Sequence, residues 1–137
     1  MSIKFENVVA HATPFGNRGL LLASSSPYRK APLKRLNLEF LQFSPDIDET
    51  RNKEESSSQM ARRLSIQKAA AASESHTARL VIGGDQVAEI GHLIVGKPHT
   101  HEAACKQLRA ASDKTNEFSH WCVRNGFRYT EVQRRRR

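Results

Sequence analysis

The apolar run Leu20-Leu21-Leu22-Ala23 breaks abruptly into Ser24-Ser25-Ser26-Pro27 and then into Tyr28-Arg29-Lys30. An apolar stretch of strand length followed by a small-residue loop and a proline predicts strand, tight loop and helix start. Pro27 suits the first helical position, whose N–H has no partner in any case. Residues 1–19 show no period and hold the breakers Pro14, Gly16 and Asn17, so they read as an extension ahead of the first strand. After Pro27, Leu33 and Leu36 stand three positions apart and predict one buried stripe. Pro32 conflicts with this helix: it lies beyond the free first turn and should kink or shorten it, at about 3 kcal/mol.

Leu38 to Phe43 is apolar and aromatic and predicts a second strand, closed by Ser44-Pro45-Asp46. The polar stretch Arg51 to Ser58 follows, and Ser56 with Gln59 fits a capping box. A long helix to about Ser75 is expected, with Met60, Leu64 and Ala69 to Ala72 as its apolar surface. Lys68 sits among those alanines and either snorkels to solvent or points into a cleft. Leu80-Val81-Ile82 predicts a third strand running into Gly83-Gly84-Asp85-Gln86. That segment is either a plain Gly-Gly-Asp turn or the delivery of a carboxylate to the edge of a sheet, where ligands of open α/β sheets collect. Val87–Ile90 and Leu93–Val95 flank Gly91-His92 and predict a hairpin. Thr100 can cap a helix to about Ser112 with Ala104, Leu108 and Ala111 on one face. After Lys114 the apolar residues scatter without a period, and only a short strand near Thr115–Phe118 is expected.

The candidate chemistry lies between these elements. Serines at a helix start let a ligand approach closely and offer hydroxyl donors. The helix N-terminus favours an anion, and Arg29 adds a planar fork that fits phosphate oxygens. The alternative is an ordinary turn with a serine N-cap. Asp46, Asp48 and Glu49 cluster in the loop after the second strand, either as solvated charge or as oxygen ligands for a hard divalent cation. Gly96-Lys97-Pro98 places a lysine on a rigid turn. His92, His99, His101 and His120 have no metal-ligand spacing and read as surface residues.

Composition changes this picture little. The 137 residues suit one domain with a real core. No run reaches membrane-spanning length, and no secretory signal pattern opens the chain. Cys105 and Cys122 form neither a disulfide framework nor a zinc spacing, which fits idle thiols in a reducing cytoplasm. Half of the formal charge of +8 sits from Glu117 onward, where six arginines face two acids. A tail ending in four arginines could attract nucleic acid, but no RRM, KH or zinc-finger pattern accompanies it.

Taken together, the chain resembles the Maf family of nucleotide pyrophosphatases. The matching stretches are Leu22 to Lys30, Asp46-Ile47-Asp48-Glu49-Thr50, Arg63-Leu64-Ser65-Ile66-Gln67-Lys68-Ala69, Val81 to Val87, Gly96-Lys97-Pro98 and Leu108-Arg109-Ala110-Ala111-Ser112. Their order and spacing agree across roughly residues 20 to 118. Tyr28 and Gln86 look like the branch acting on 7-methyl-GTP; the thymidine and uridine triphosphate branch usually has Arg and Thr there. Tyr28 departs from the tryptophan expected in that branch, yet still offers a stacking face for a purine.

The resemblance implies an α/β fold, a mixed twisted sheet with flanking helices. It implies hydrolysis of a nucleoside triphosphate to the monophosphate and pyrophosphate with a divalent cation, Mg²⁺ or Mn²⁺. Asp85 would be metal ligand and general base, and Glu49 would share the metal. Arg29, Lys68 and Lys97 would hold phosphate oxygens, with Ser24 and Ser26 as donors and Tyr28 and Gln86 at the base. A cytoplasmic enzyme, homodimeric in the full-length family, is implied, with no membrane partner. The organisation expected is an extension over 1–19, the nucleotide-binding domain over 20–118 and a divergent basic tail over 119–137. Ser119 to Arg137 matches nothing in the family's second half, so a truncated or frame-shifted chain with impaired catalysis is one expectation. A non-catalytic, basic nucleic-acid-binding module is the other alternative.

Overall fold

The computed structural model describes residues 18–125 and 135–136. The strand β1 spans Leu20–Ala23 and the helix α1 Pro27–Arg35; β2 is Phe40–Gln42, α2 is Ser57–Ser75 and β3 is Leu80–Ile90. After these come β4 at Leu93–Val95, α3 at His101–Ala111, β5 at Asn116–Asn125 and β6 at Arg135–Arg136. The sheet runs in the order β2-β1-β3-β5-β6, with β4 paired to β3 outside that path. β1 pairs in parallel with both β2 and β3, whereas β4 and β5 run antiparallel to β3. This is the mixed sheet with flanking helices that the family resemblance implies.

The core lies between α2 and the central strands. Leu21, Ala23, Ala69, Ala72, Val81 and Val123 form one buried cluster. All four residues of β1 are buried, as a strand covered on both sides requires. α2 begins with the capping box: Ser56 Oγ accepts from the Gln59 N–H at 3.1 Å, and Gln59 Oε1 accepts from the Ser56 N–H at 2.9 Å. α3 begins with Thr100 Oγ1 accepting from the Ala103 N–H at 3.1 Å. Gly91 takes φ +60 at the first of the two residues joining β3 to β4, a conformation glycine reaches without penalty.

Several elements differ from the pattern-based expectation. Pro32 lies inside α1, which still runs from Pro27 to Arg35; the one backbone bond it removes would have gone to the Tyr28 carbonyl, and the helix lies on the surface with no buried residue. The Leu33–Leu36 stripe is therefore not buried, and Leu36 is 63% exposed. On α3 Leu108 is exposed, while Ala103, Gln107 and Ala110 line the groove facing Ile90, Leu93 and Val95. The second strand is only Phe40–Gln42. β3 does not stop at Gly83; it continues through both glycines and Asp85 to Ile90, so no Gly-Gly-Asp turn forms. The largest difference is β5, which pairs with β3 from Asn116↔Ile90 to Asn125↔Val81. Its burial alternates but its polarity does not follow, because a serine fills a buried position and a phenylalanine an exposed one. Ser119 and Val123 are buried against α2 and the core, whereas Phe118 stays exposed. The boundary drawn at Phe118 thus divides a continuous strand. Residues 1–17, 126–134 and 137 lie outside the described part, including most of the expected extension and basic tail.

Candidate functional site

The register of the sheet creates a gap. β1 accompanies β3 only as far as Ala23↔Gly83, and β4 joins β3 only from Val95↔Ala88. On that side Gly84, Asp85, Gln86 and Val87 have no strand neighbour among the described residues. The chain leaving β1 enters the loop Ser24–Ser26 and α1 beside this opening. In open α/β sheets, ligands bind where neighbouring strands diverge in this way.

Asp85 stands in the opening, 8% exposed. Gly83, two residues earlier, lets α2 come down onto the sheet: a Cβ there would meet Ser65 O at 2.3 Å. That approach carries Lys68 to the carboxylate, with Nζ donating to Asp85 Oδ1 at 2.8 Å. Nζ also lies 2.8 Å from Glu49 Oε1, so one ammonium is shared by two carboxylates. From the other side Arg29 Nη2 lies 3.7 Å from Asp85 Oδ1, an ion pair rather than a hydrogen bond. Both contacts use Oδ1, and Oδ2 has no protein partner among the described residues.

The serine loop is built around Ser24 rather than a helix cap. Ser26 stands at the N-cap but makes no side-chain capping bond. Ser24, 4% exposed, accepts from the Ser26 N–H at 3.2 Å and from Arg29 Nη1 at 2.8 Å. Those two bonds use both hydroxyl lone pairs, so the remaining capacity of Ser24 is its own proton, a donor for an anion. Gln42 Nε2 donates to Ser24 O at 2.7 Å and ties the loop to β2. Arg29 Nε is buried without a partner among the described residues.

The loop bearing Glu49 is latched to α2. Arg63 donates to both oxygens of Glu55, at 2.7 and 2.9 Å, and to Thr50 O at 3.0 Å. Arg51 donates to Glu55 O at 2.8 and 2.6 Å. The Arg63 hydrogen bond holds the Glu55 carboxyl below the ordinary carboxylate value, against the opposing effect of burial. Asp48 is likewise lowered, chiefly by hydrogen bonding from Thr50.

The structure brings together Ser24, Ser26, Arg29, Glu49, Lys68 and Asp85. Other expected residues do not join them. Tyr28 is 88% exposed on α1. Gln86 follows Asp85 on β3, so alternation turns it to the opposite face, where it is exposed. Lys97 is exposed in the segment after β4, which the antiparallel register directs back towards the opening; it has no ion pair among the described residues. His120 is not a plain surface histidine. It pairs with Gln86, is half-buried, and its pKa is lowered mainly by burial and then by Arg29, with Asp85 opposing. Gln42 and Glu55 carry no motif signal, and Arg63 is marked only as the first residue of the stretch Arg63 to Ala69, with no role attached to it. Only the fold puts the three beside the loops they hold.

Among the described residues, no group of three or more His, Cys, Asp or Glu side chains could hold a metal ion. The two carboxylates are hard oxygen donors. They fit Mg²⁺ or Mn²⁺ in the usual nucleotide arrangement, in which one or two carboxylates act together with waters and phosphate oxygens. They do not fit a cation held by protein side chains alone. The charges of Arg29, Lys68, Glu49 and Asp85 cancel, so a bound polyanion requires further positive charge. No described helix is long and apolar enough to cross a membrane.

The sequence profile described as Maf-like protein matches residues 19–135. A protein of Pseudomonas fluorescens (strain Pf0-1) named 7-methyl-GTP pyrophosphatase is 54% identical over 99 residues, 72% of this chain and 52% of the relative. Proteins of the same name from Alcanivorax borkumensis and Pseudomonas aeruginosa are 48% and 52% identical over the same length, covering 50% and 52% of those relatives. The chain spans about half the length of the curated relatives it matches.

Proposed function

The chain belongs to the Maf-like protein family, and on that footing we propose that its sheet opening is the triphosphate end of a nucleotide pyrophosphatase site. The reaction is hydrolysis of a nucleoside triphosphate, 7-methyl-GTP by the names of the relatives, to the monophosphate and pyrophosphate. One observation carries the reading: Arg29, Lys68, Glu49 and Asp85 converge from four separate parts of the chain, through contacts of 2.8 to 3.7 Å.

In this reading Ser24 donates its hydroxyl proton to a phosphate oxygen, and the free Ser26 hydroxyl and the start of α1 add donors. Arg29, positioned by Ser24, and Lys68 neutralise charge on the transferring phosphoryl group, where electrostatic stabilisation outweighs covalent chemistry. The water oxygen bonds to the α-phosphorus as the bond to the α,β-bridging oxygen breaks. Asp85 accepts the water's proton on the side of Oδ2, and pyrophosphate leaves with the bridging oxygen. Mg²⁺ or Mn²⁺, held by Asp85 and Glu49 with phosphate oxygens, supplies Lewis-acid charge when bound. Lys97 closes on the outer phosphates from the segment after β4.

Purified chain is incubated with Mg²⁺ or Mn²⁺ and a panel of triphosphates including 7-methyl-GTP, GTP, dTTP and UTP, and pyrophosphate is measured. Release fastest from 7-methyl-GTP is expected. No release from any of them at high enzyme concentration defeats the proposal.

A further inference from the structure

The position of Lys68 has a consequence beyond phosphate binding. Its ammonium lies 2.8 Å from Asp85 Oδ1 and 2.8 Å from Glu49 Oε1. The two oxygens best suited to share a divalent cation are therefore already bridged by a cation that belongs to the chain. We propose that Lys68 is a resident counter-ion. It keeps the divalent cation out of the site until a polyphosphate arrives, and then turns to the phosphate oxygens as the cation takes its place. This deepens the pyrophosphatase reading and rests on it.

Three features support the exchange. Lys68 is 9% exposed, so its charge is poorly screened and strongly opposes a dication at the same carboxylates. Glu49 has a side chain 59% exposed, on a loop anchored at Thr50 rather than at Glu49, so it can follow either cation. The charges of Arg29, Lys68, Glu49 and Asp85 already cancel. A dication added alone leaves the site with uncompensated positive charge, whereas a dication added with a triphosphate does not. Lysine suits such an exchange because its ammonium is a point charge on a flexible four-carbon stem.

The test uses Mn²⁺ as probe and water-proton relaxation enhancement as readout, on the full chain. Wild type with Mn²⁺ alone is expected to give no enhancement, and wild type with Mn²⁺ and inorganic tripolyphosphate to exceed the protein-free Mn²⁺–tripolyphosphate value. Lys68→Met, which keeps the stem and removes the charge, is expected to bind Mn²⁺ without polyphosphate at least about tenfold more tightly than wild type. Adding Asp85→Asn to that variant should remove the gain. Enhancement by Mn²⁺ alone in wild type equal to that of Lys68→Met overturns the proposal, as does a folded Lys68→Met with no gain. If Lys68→Met does not fold by circular dichroism, the wild-type pair of measurements decides in the same directions. Failure of the pyrophosphatase reading has a different signature: no pyrophosphate release, with the Mn²⁺ responses of wild type and Lys68→Met unchanged.

Discussion

Gly83→Ala tests whether close packing of α2 on β3 builds the site. The glycine's φ is ordinary, so the argument concerns space alone. A Cβ at this position would lie 2.3 Å from Ser65 O, 2.8 Å from Ala69 Cβ and 2.9 Å from Ala69 N. Two of those three atoms are helix backbone, which no rotamer change can move aside. Restoring an ordinary contact of 3.4 Å from 2.3 Å requires α2 and β3 to part locally by about 1 Å. Overpacking of this kind costs about 1–3 kcal/mol, and with backbone on both sides the upper end applies. For a chain of this size about 3 kcal/mol corresponds to a fall in melting temperature of roughly 10 °C. The same displacement draws Lys68 away from Asp85. Gly84→Ala is the control, because its Cβ would meet the movable Arg29 side chain at 3.3 and 3.4 Å and Trp121 O at 3.5 Å. Thermal melts followed by circular dichroism compare the two variants. A Gly83→Ala melt matching wild type, or equal losses for both glycines, refutes the reasoning.

Further outcomes follow from the same geometry. Asp85→Asn should lower pyrophosphate release by about 10²–10⁴-fold, the usual contribution of a general base; an unchanged rate shows that another group takes the proton. Ser24→Ala leaves the Ser26 N–H and Arg29 Nη1 without their acceptor, at about 1–3 kcal/mol. Calorimetric titration with tripolyphosphate should show weaker binding, and equal affinity would remove Ser24 from the cradle. Arg63 lowers the Glu55 carboxyl in the folded chain, so the unfolded chain binds that proton more readily. The stabilisation is therefore complete above the ordinary value of 4.5 and is lost as pH falls below it. Glu55→Gln should melt below wild type at pH 7, and the difference should close on acidification; a difference independent of pH refutes the latch.

Much of the fold was legible because its signals are local. The apolar run of β1, the capping box of α2, Thr100 ahead of α3 and the Gly91-His92 hairpin each depend on neighbours within a few residues. The residues that meet at the opening stood out for a similar reason: the serines, Arg29, Glu49, Lys68 and Asp85 each belong to a short recognisable stretch. β5 was not legible, because its face towards α2 carries the buried Ser119 while the apolar Phe118 stands exposed on the other face, so polarity does not follow the alternation. Nor was the role of Gly83-Gly84. Two glycines followed by an aspartate look like a turn, and only the nearness of Ser65 and Arg29 shows that they make room.

By itself the sequence determined most of the elements, their order and the charged and hydroxyl side chains each carries, since periodicity, caps and turn residues act over one or two helical turns. The tertiary structure alone decided which of them meet. It leaves one edge of β3 without a strand neighbour from Gly84 to Val87 among the described residues, although β5 pairs along the other edge, and it leaves Tyr28 in solvent. It also sets the Lys68 ammonium between two carboxylates that lie thirty-six positions apart in the chain. The physical reason is that a contact between distant segments depends on the path of the whole backbone, which no local pattern encodes.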